Sequence, residues 1–372
     1  MRVPEVSAEA RARVALSRLA EPGDEQLGRF VADLGPEDVL ARVRDGSLPA
    51  TGMAHYQARL NRLDVDLDLQ VAAGSGTRLL VPGDAEWPPQ LADLGAAEPL
   101  LLWVGGLPDL AAMTRRSVAL VGSRACSAYG QRVSGDLGVG LADRGWTVVS
   151  GGAYGIDAAA HRGALAVDGR TVAVLACGVD VSYPASHEQL LSLVRRSGAV
   201  VSELGPGSRP TRRRFLDRNR LIAALGRGTV VVEAAVRSGA RNTAGHADRL
   251  SRPVMAVPGP VTSTASGGCH EMIRNEGALL VTDASDVIEV VGDLGTDSAP
   301  PRRGEARPED ELDLLTLRVL ESLPLRRFAT PDGVGAVAGL DGRSVLRGLA
   351  LLASAGLAET RNGAWRRAAA HP

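Results

Sequence analysis

The sequence predicts an α/β fold: one doubly wound, mostly parallel sheet flanked by a helical N-terminal module and a C-terminal winged helix. Three observations carry that expectation. Short β-branched runs at residues 117–121, 147–150, 171–175, 199–202, 229–233 and 254–257 alternate with helix-length segments, the pattern of parallel strands covered by helices on both faces. Between Ser7 and about Leu69 the apolar residues recur instead at helical spacing, as in Val14, Leu16 and Leu19, then Leu27, Phe30, Val31 and Leu34. From Glu311 to Ala364 helical periodicity returns in Leu314, Leu315, Leu317, Val319 and Leu320 and in Val345, Leu346, Leu349, Leu351 and Leu352, before a short strand pair.

The remaining segments connect these parts. The small-residue stretch 71–77 (VAAGSGT) reads as a boundary or loop, and 79–81 and 100–104 read as short strands leading into the sheet. Pro, Gly and charge without periodicity beyond Gly292 read as a linker. The expected parts are therefore residues 1–72, 73–292 and 311–372, with the linker at 293–310.

Composition bounds the function classes. At 372 residues, 45% hydrophobic and 23% charged, the chain is long enough and apolar enough for a large core with flanking modules. A net charge of -1 argues against a polycation that coats DNA everywhere, yet permits a local basic groove. All 42 basic residues are arginine, which reads as a coding bias, so arginine content alone proves little. Cys126, Cys177 and Cys269 have neither disulfide nor metal-ligand spacing and fit a reducing compartment. No run approaches the ~18 apolar residues of a membrane span, and Glu5 and Glu9 break any signal-peptide pattern. A soluble, cytoplasmic protein without cofactor or metal is expected.

The chemistry is concentrated in the turns that follow the strands. After 117–121 comes Gly122-Ser123-Arg124, running through Gly130 into a helix, an anion site if backbone donors face outward at the helix start. An ordinary tight turn uses the same residues, and neither the dinucleotide glycine spacing nor a P-loop ending is present. The next turn, residues 150–157 (SGGAYGID), again allows close backbone approach. Asp157 and His161, four apart, read as a structural pair in preference to a catalytic one. Residues 209–220 (RPTRRRFLDRNR) hold six arginines around Phe215 with Asn219 alongside. Guanidinium groups grip phosphates and an aromatic face stacks on a base without sequence preference. Glu233 ends a strand ahead of Ser238-Gly239, Asn242 and Thr243; it reads as a buried carboxylate or a hydrolase base, with no nucleophile at suitable spacing. His270 beside Cys269 reads as incidental, not as a metal pair.

Read in order, VGSRACSAYG, SGGAYGIDAAAHRGAL, GVDVSYPASHEQL, SELGPGSRPTRRRFLDRNRLIAAL, VVVEAAVRSGARNTAGHADRL and AVPGPVTSTASGGCHEMIRNEGALL resemble the successive motifs of the DNA-processing protein A (DprA/Smf) family. The resemblance implies an extended Rossmann-type domain, entered through RLLVPGDAEWPPQLADLGAAEPLLLWVGG. The flanks resemble the family's helical module, of the SAM or helix-hairpin-helix kind, and its winged helix. It also implies single-stranded DNA binding without catalysis and a homodimer formed through the Rossmann domain. In the family's role, incoming or exposed DNA is protected and RecA is loaded past the single-strand-binding protein, in transformation and homologous recombination. Carried onto matching positions, the DNA pocket uses Gly122, Ser123 and Arg124, Gly152, then Arg214, Phe215, Arg218, Asn219 and Arg220, and is closed by Ser238, Gly239 and Thr243. Two departures stand out: Arg241 where the family often has leucine, and Ser251-Arg252 where it usually has Gly-Arg. In the tail, Arg343 and Arg347 are candidates for a second DNA contact, although a winged helix serves a protein partner equally well.

Two readings from other classes compete. A nucleotide-binding or phosphoribohydrolase-like enzyme shares the Gly-Ser turn and small-residue loops, but its Pro-Gly-Gly-x-Gly-Thr-x-x-Glu signature is absent. An NAD-dependent oxidoreductase lacks its fingerprint and an acid–base set, and ranks last.

Overall fold

The computed structural model describes residues 6–368 apart from 50, 52, 294, 296 and 298–307. Most of the linker expected at 293–310 thus lies outside the described residues. The chain divides into two compact units, Met1–Ala299 and Pro300–Pro372.

The first unit begins with five helices, α1 (Ala8–Leu19), α2 (Glu25–Leu34), α3 (Pro36–Asp45), α4 (Met53–Leu60) and α5 (Val65–Gly74). Polar caps start three of them: Ser7, Asp24 and Asp64 accept from the backbone N–H groups of Ala10, Leu27 and Leu67. The helical spacing gathers Leu16, Leu19, Leu27, Val39, Val43 and Tyr56 into one core. The stretch read as a boundary or loop at 71–77 is corrected: 71–74 close α5, and only Ser75 and Gly76 turn the chain. Alanine is small but the best helix former, so small-residue content misleads at Ala72-Ala73.

The sheet follows, interleaved with helices: β1 (Thr77–Leu80), β2 (Leu102–Gly106), α6 (Leu110–Arg115), β3 (Ser117–Val121), α7 (Ala128–Asp143), β4 (Thr147–Ser150), α8 (Ile156–Ala166) and β5 (Thr171–Val174). It continues through α9 (Glu188–Ser197), β6 (Ala199–Ser202), α10 (Arg212–Leu225), β7 (Thr229–Val231), α11 (Gly239–Arg249), β8 (Val254–Ala256), α12 (Gly267–Asn275), β9 (Leu279–Leu280) and α13 (Ala284–Val291). The nine strands run in the order β1-β2-β6-β5-β4-β3-β7-β8-β9. Only the β1–β2 and β2–β6 pairs are antiparallel. Alternating side chains feed two cores. On β3, Ala119 and Val121 meet Leu221, Ala244 and Met272 of α10, α11 and α12. From the other face, Val118 and Leu120 meet Leu137, Ile156 and Val287 of α7, α8 and α13.

This order places a reversal at β3. From β3 the chain builds β4, β5 and β6 outward on one side, then returns to add β7 on the other. The loops after β3 and β7 therefore leave in opposite directions, and a crevice opens at their carboxyl ends.

In the second unit α14 (Leu314–Ser322), α15 (Pro331–Ala338) and α16 (Gly342–Ser354) pack Val319, Leu320, Val334, Val345 and Leu349 together. A hairpin of β10 (Ala358–Arg361) and β11 (Ala364–Arg367) follows, turning on Asn362 and Gly363, both at positive φ. Three helices and a hairpin in this sequence make a winged helix. No described helix is long and apolar enough to cross a membrane.

One departure from the family pattern has a backbone cost. Ser251 sits at φ 54°, in the left-handed region where a Cβ is unfavourable, at the position where the resembling family has glycine. Ser251→Gly is expected to raise stability by up to about 1 kcal/mol, read as a higher urea midpoint at unchanged slope.

Candidate functional site

The crevice at the β3/β7 reversal is built from the loops after β3, β7 and β4 and from α10. Val232 N–H donates to Val121 O (3.0 Å) and Ser123 N–H donates to Glu233 O (2.7 Å), so the first two loops are stitched by backbone. The buried Glu233 carboxylate then accepts from Ser127 N–H (2.7 Å) and Ser127 Oγ (2.6 Å). Ser127 Oγ in turn accepts from Gly130 N–H (3.1 Å) and caps α7. Both oxygens of Glu233 are engaged in holding the start of α7, the work of a buried structural carboxylate.

The turn after β4 is shaped by Asp157, whose Oδ2 accepts from Gly151 N–H (3.1 Å) and Ala153 N–H (3.3 Å). Burial raises the Asp157 pKa, opposed by the Arg218 charge and by those two backbone donors. Gly155 is at φ 76°, and a Cβ there would lie 2.2 Å from Ser123 O, so glycine is what lets this turn press against the β3 loop. The expected pairing of Asp157 with His161 does not form. His161 Nδ1 instead lies 2.7 Å from Thr171 Oγ1. Because the Thr171 hydroxyl donates its proton to Val148 O (2.8 Å), the imidazole must donate through Nδ1 and leave Nε2 bare. Burial, helped by His187 and Arg218, pushes the His161 pKa down to about 3.

The arginine-rich segment becomes α10, capped by Thr211 Oγ1. Its arginines separate by partner. Arg214 is held by Glu21 of the helical module (2.9 Å). Arg220 forms a buried bidentate pair with Glu203 (2.6 Å) and donates to Ala97 O (3.0 Å). Arg218 is buried and donates through Nη1 to Gly151 O (2.8 Å) and to Val174 O, the latter at the end of β5. Burial lowers its pKa to about 10, with the Asp157 charge opposing, so it stays cationic at neutral pH. Phe215 faces the crevice with the Arg124 guanidinium 4.4 Å above its ring. Asn219 Nδ2 donates to Asn242 Oδ1 (3.1 Å) and ties α10 to α11. The α11 start is capped by Ser238 Oγ, which accepts from Ala240 N–H (3.3 Å).

These parts enclose an open cleft of about 930 Å³, counting the solvent at its mouth. Of the residues expected from sequence, Gly122, Ser123, Arg124, Phe215, Arg218, Asn219, Ser238, Gly239 and Thr243 line it. Gly152, Arg214 and Arg220 are not among its walls. The Gly152 carbonyl accepts from the His187 ring at 3.0 Å and shapes the β4 turn from behind. Sequence reasoning missed Arg237 and Leu216, which also line the cleft. Arg237 is exposed and makes no hydrogen bond or ion pair among the described residues. A single arginine in a chain whose cations are all arginine carries no local signal. Chemically the cleft offers the start of α11 with its positive dipole end, the guanidiniums of Arg124 and Arg237, which make no ion pair among the described residues, and one aromatic ring. No group of three or more His, Cys, Asp or Glu side chains among the described residues could hold a metal ion.

Two outcomes follow from these partnerships. Arg220→Leu strands Glu203 in a buried site and is expected to cost about 3–5 kcal/mol, whereas Arg124→Ala leaves stability within about 0.5 kcal/mol; urea unfolding separates the two. For His161, the folded pKa is depressed below the unfolded value of 6.5. Its contribution is therefore complete above pH 6.5 and is lost as pH falls toward 3, where only the unfolded chain takes up the proton. Between pH 7 and 5 wild type should lose about 2 kcal/mol more than His161→Gln.

Comparison with known proteins agrees with this architecture. The chain is 47% identical over 372 residues to the DNA processing protein DprA of Mycobacterium tuberculosis, spanning 96% of this chain and 94% of that one. The structure of DNA processing protein A from Streptococcus pneumoniae superposes with a TM-score of 0.65 at 32% identity, over 78% of this chain and 100% of that one. That of DNA processing protein A from Helicobacter pylori, described by its single-stranded DNA binding mode, superposes with a TM-score of 0.51 at 25% identity, over 57% and 94%. Residues 78–292, which carry the sheet and every wall of the cleft, match the DNA recombination-mediator protein A family, and on this match together with the near full-length relative the chain belongs to that family.

Proposed function

We propose that the cleft binds single-stranded DNA and that the protein acts without catalysis, protecting such strands and loading RecA onto them past single-strand-binding protein. The observation that carries the DNA reading is the Arg124 guanidinium on the Phe215 ring in a cleft that the start of α11 also lines. Phosphates sit on the N–H groups of Gly122, Arg124 and Ser238–Gly239, with Arg124 and Arg237 as counter-charges. An unstacked base lies against Phe215. A duplex keeps its bases inside the stack and cannot present one, so the preference is for single strands. The single-strand binding mode named for the Helicobacter pylori relative supports this reading.

The proposed contacts are Gly122, Ser123, Arg124, Phe215, Arg218, Asn219, Ser238, Gly239 and Thr243, with Arg237 added. Gly152, Arg214 and Arg220 support the walls. Arg218, buried beneath the ring, supplies fixed positive charge without leaving its carbonyl partners. Neither Glu233 nor His161 is free for acid–base work, which favours binding over phosphoribohydrolase chemistry. RecA loading, and its setting in transformation and homologous recombination, rest on family membership. So does the homodimer through the Rossmann domain, for which the exposed Leu279 and Leu280 on edge strand β9 offer an apolar edge.

Fluorescence anisotropy with labelled single- and double-stranded oligonucleotides across a salt series tests the reading. Single strands should bind more tightly, with affinity falling as salt rises. Arg124→Ala should weaken binding and reduce the log–log salt slope by about 0.7. Equal affinity for duplex and single strand, or an Arg124→Ala protein with unchanged affinity and slope, would overturn it.

A further inference from the structure

The aromatic surface does not stop at Phe215. The Tyr183 ring, from the loop after β5, lies 5.5 Å from the Phe215 ring at an angle of 50°. Tyr154, from the loop after β4, is fixed by its hydroxyl on Ser186 Oγ (2.7 Å) and by edge contact with the His187 ring (4.7 Å). His187 is buried and bonded to Gly152 O, so the β4 and β5 loops are clamped together beneath these rings. Tyr154 and Tyr183 are nonetheless 50% and 43% exposed. Three of the chain's seven Phe and Tyr residues (3 Phe and 4 Tyr) thus gather along one edge of the sheet.

Their placement follows the strand order. Strands β7, β3, β4 and β5 are consecutive neighbours, and β3, β4, β5 and β7 are parallel, so their carboxyl-end loops form one row. The cleft occupies the β7 and β3 positions, and the two tyrosines occupy the β4 and β5 positions. Core packing does not require them, since each leaves about half its ring in water. A fixed, half-exposed ring in line with a base-sized site is a stacking platform, and it orders little on binding because its position is already held. Arg209 and Arg212, exposed six and three residues ahead of Phe215 and without an ion pair among the described residues, supply cations for the intervening phosphates.

We propose that Tyr183 and Tyr154 are base-stacking subsites that continue the cleft, so that the protein holds a run of at least three consecutive unpaired nucleotides along the carboxyl edge of the sheet. The proposal rests on the single-strand reading of the cleft and adds a footprint to it. It predicts that affinity rises with strand length from two nucleotides to six, and that the rise depends on the two rings.

The test uses the full chain with (dT)2, (dT)6 and (dT)12, and oligonucleotides carrying 2-aminopurine at successive positions. Tyr183→Leu and Tyr154→Leu, alone and together, are compared with wild type, Tyr183→Phe and Phe215→Leu. The tyrosine variants should bind (dT)6 and (dT)12 roughly five- to a hundred-fold more weakly, with (dT)2 affinity and thermal midpoint unchanged. Tyr183→Phe should restore binding, and 2-aminopurine quenching should be lost at interior positions only. Phe215→Leu should weaken all three lengths alike. A double leucine variant that binds (dT)12 as wild type does overturns the proposal, as does loss of affinity accompanied by a lower thermal midpoint and no rescue by phenylalanine. A wild-type protein that binds none of the oligonucleotides removes the underlying single-strand reading, and the track with it.

Discussion

The site depends on how two loops are held where the strand order reverses. At the β3/β7 junction the chain leaves the sheet in opposite directions, and nothing in the ladder itself keeps the resulting crevice in shape. Glu233 does so: its backbone carbonyl takes Ser123 N–H, and its carboxylate takes both donors of Ser127. Gly130, one turn into α7, packs against that carboxylate so closely that a Cβ would lie 2.6 Å from Oε2. One buried carboxylate therefore sets the distance between the loops, the start of α7 and the direction of its N–H groups. A charge in such a place is tolerable because its lone pairs are filled by donors supplied from the same fold.

A second set of buried charges supports the opposite wall. Arg218 and Asp157 lie under the cleft without direct contact, each bonded to backbone of the β4 turn and each feeling the other's charge. Arg220 and Glu203 hold α10 from behind, and Arg214 ties it to Glu21 of the helical module. These pairs contribute little as isolated ion pairs, since desolvation offsets much of their attraction. Their effect is positional: α10 is pinned at several points, so Phe215 faces the cleft with little freedom. The helical module thereby braces the arginine helix from outside the cleft, because Glu21 reaches Arg214.

Much of the sheet was legible because its signals are local. The run 117–121 coincides with β3, and 147–150 and 199–202 with β4 and β6. The run at 229–233 overshoots β7 because Val232 and Glu233 still bond across to the β3 loop after the ladder has ended. Strand β9 escaped notice since two leucines are too few to form a pattern. Alanines at the end of α5 were read as a loop for lack of any partner in sequence that would mark a helix end. The Asp157–His161 pairing failed because spacing along a helix says which residues share a face, and not which neighbour outside the helix binds more strongly.

The sequence alone determined where most strands lie along the chain, the small-residue turns that follow them, and the presence of one aromatic within an arginine cluster, because each is written in contiguous residues. Tertiary structure decided which arginines remain free. Arg214 finds Glu21 across 193 residues and Arg218 finds Gly151 across 67, while Arg237, on the cleft wall, has no ion-pair partner among the described residues. The physical reason is that a guanidinium's availability depends on the distance to its nearest acceptor in three dimensions, and that distance is set by strand order and helix docking instead of by neighbours along the chain.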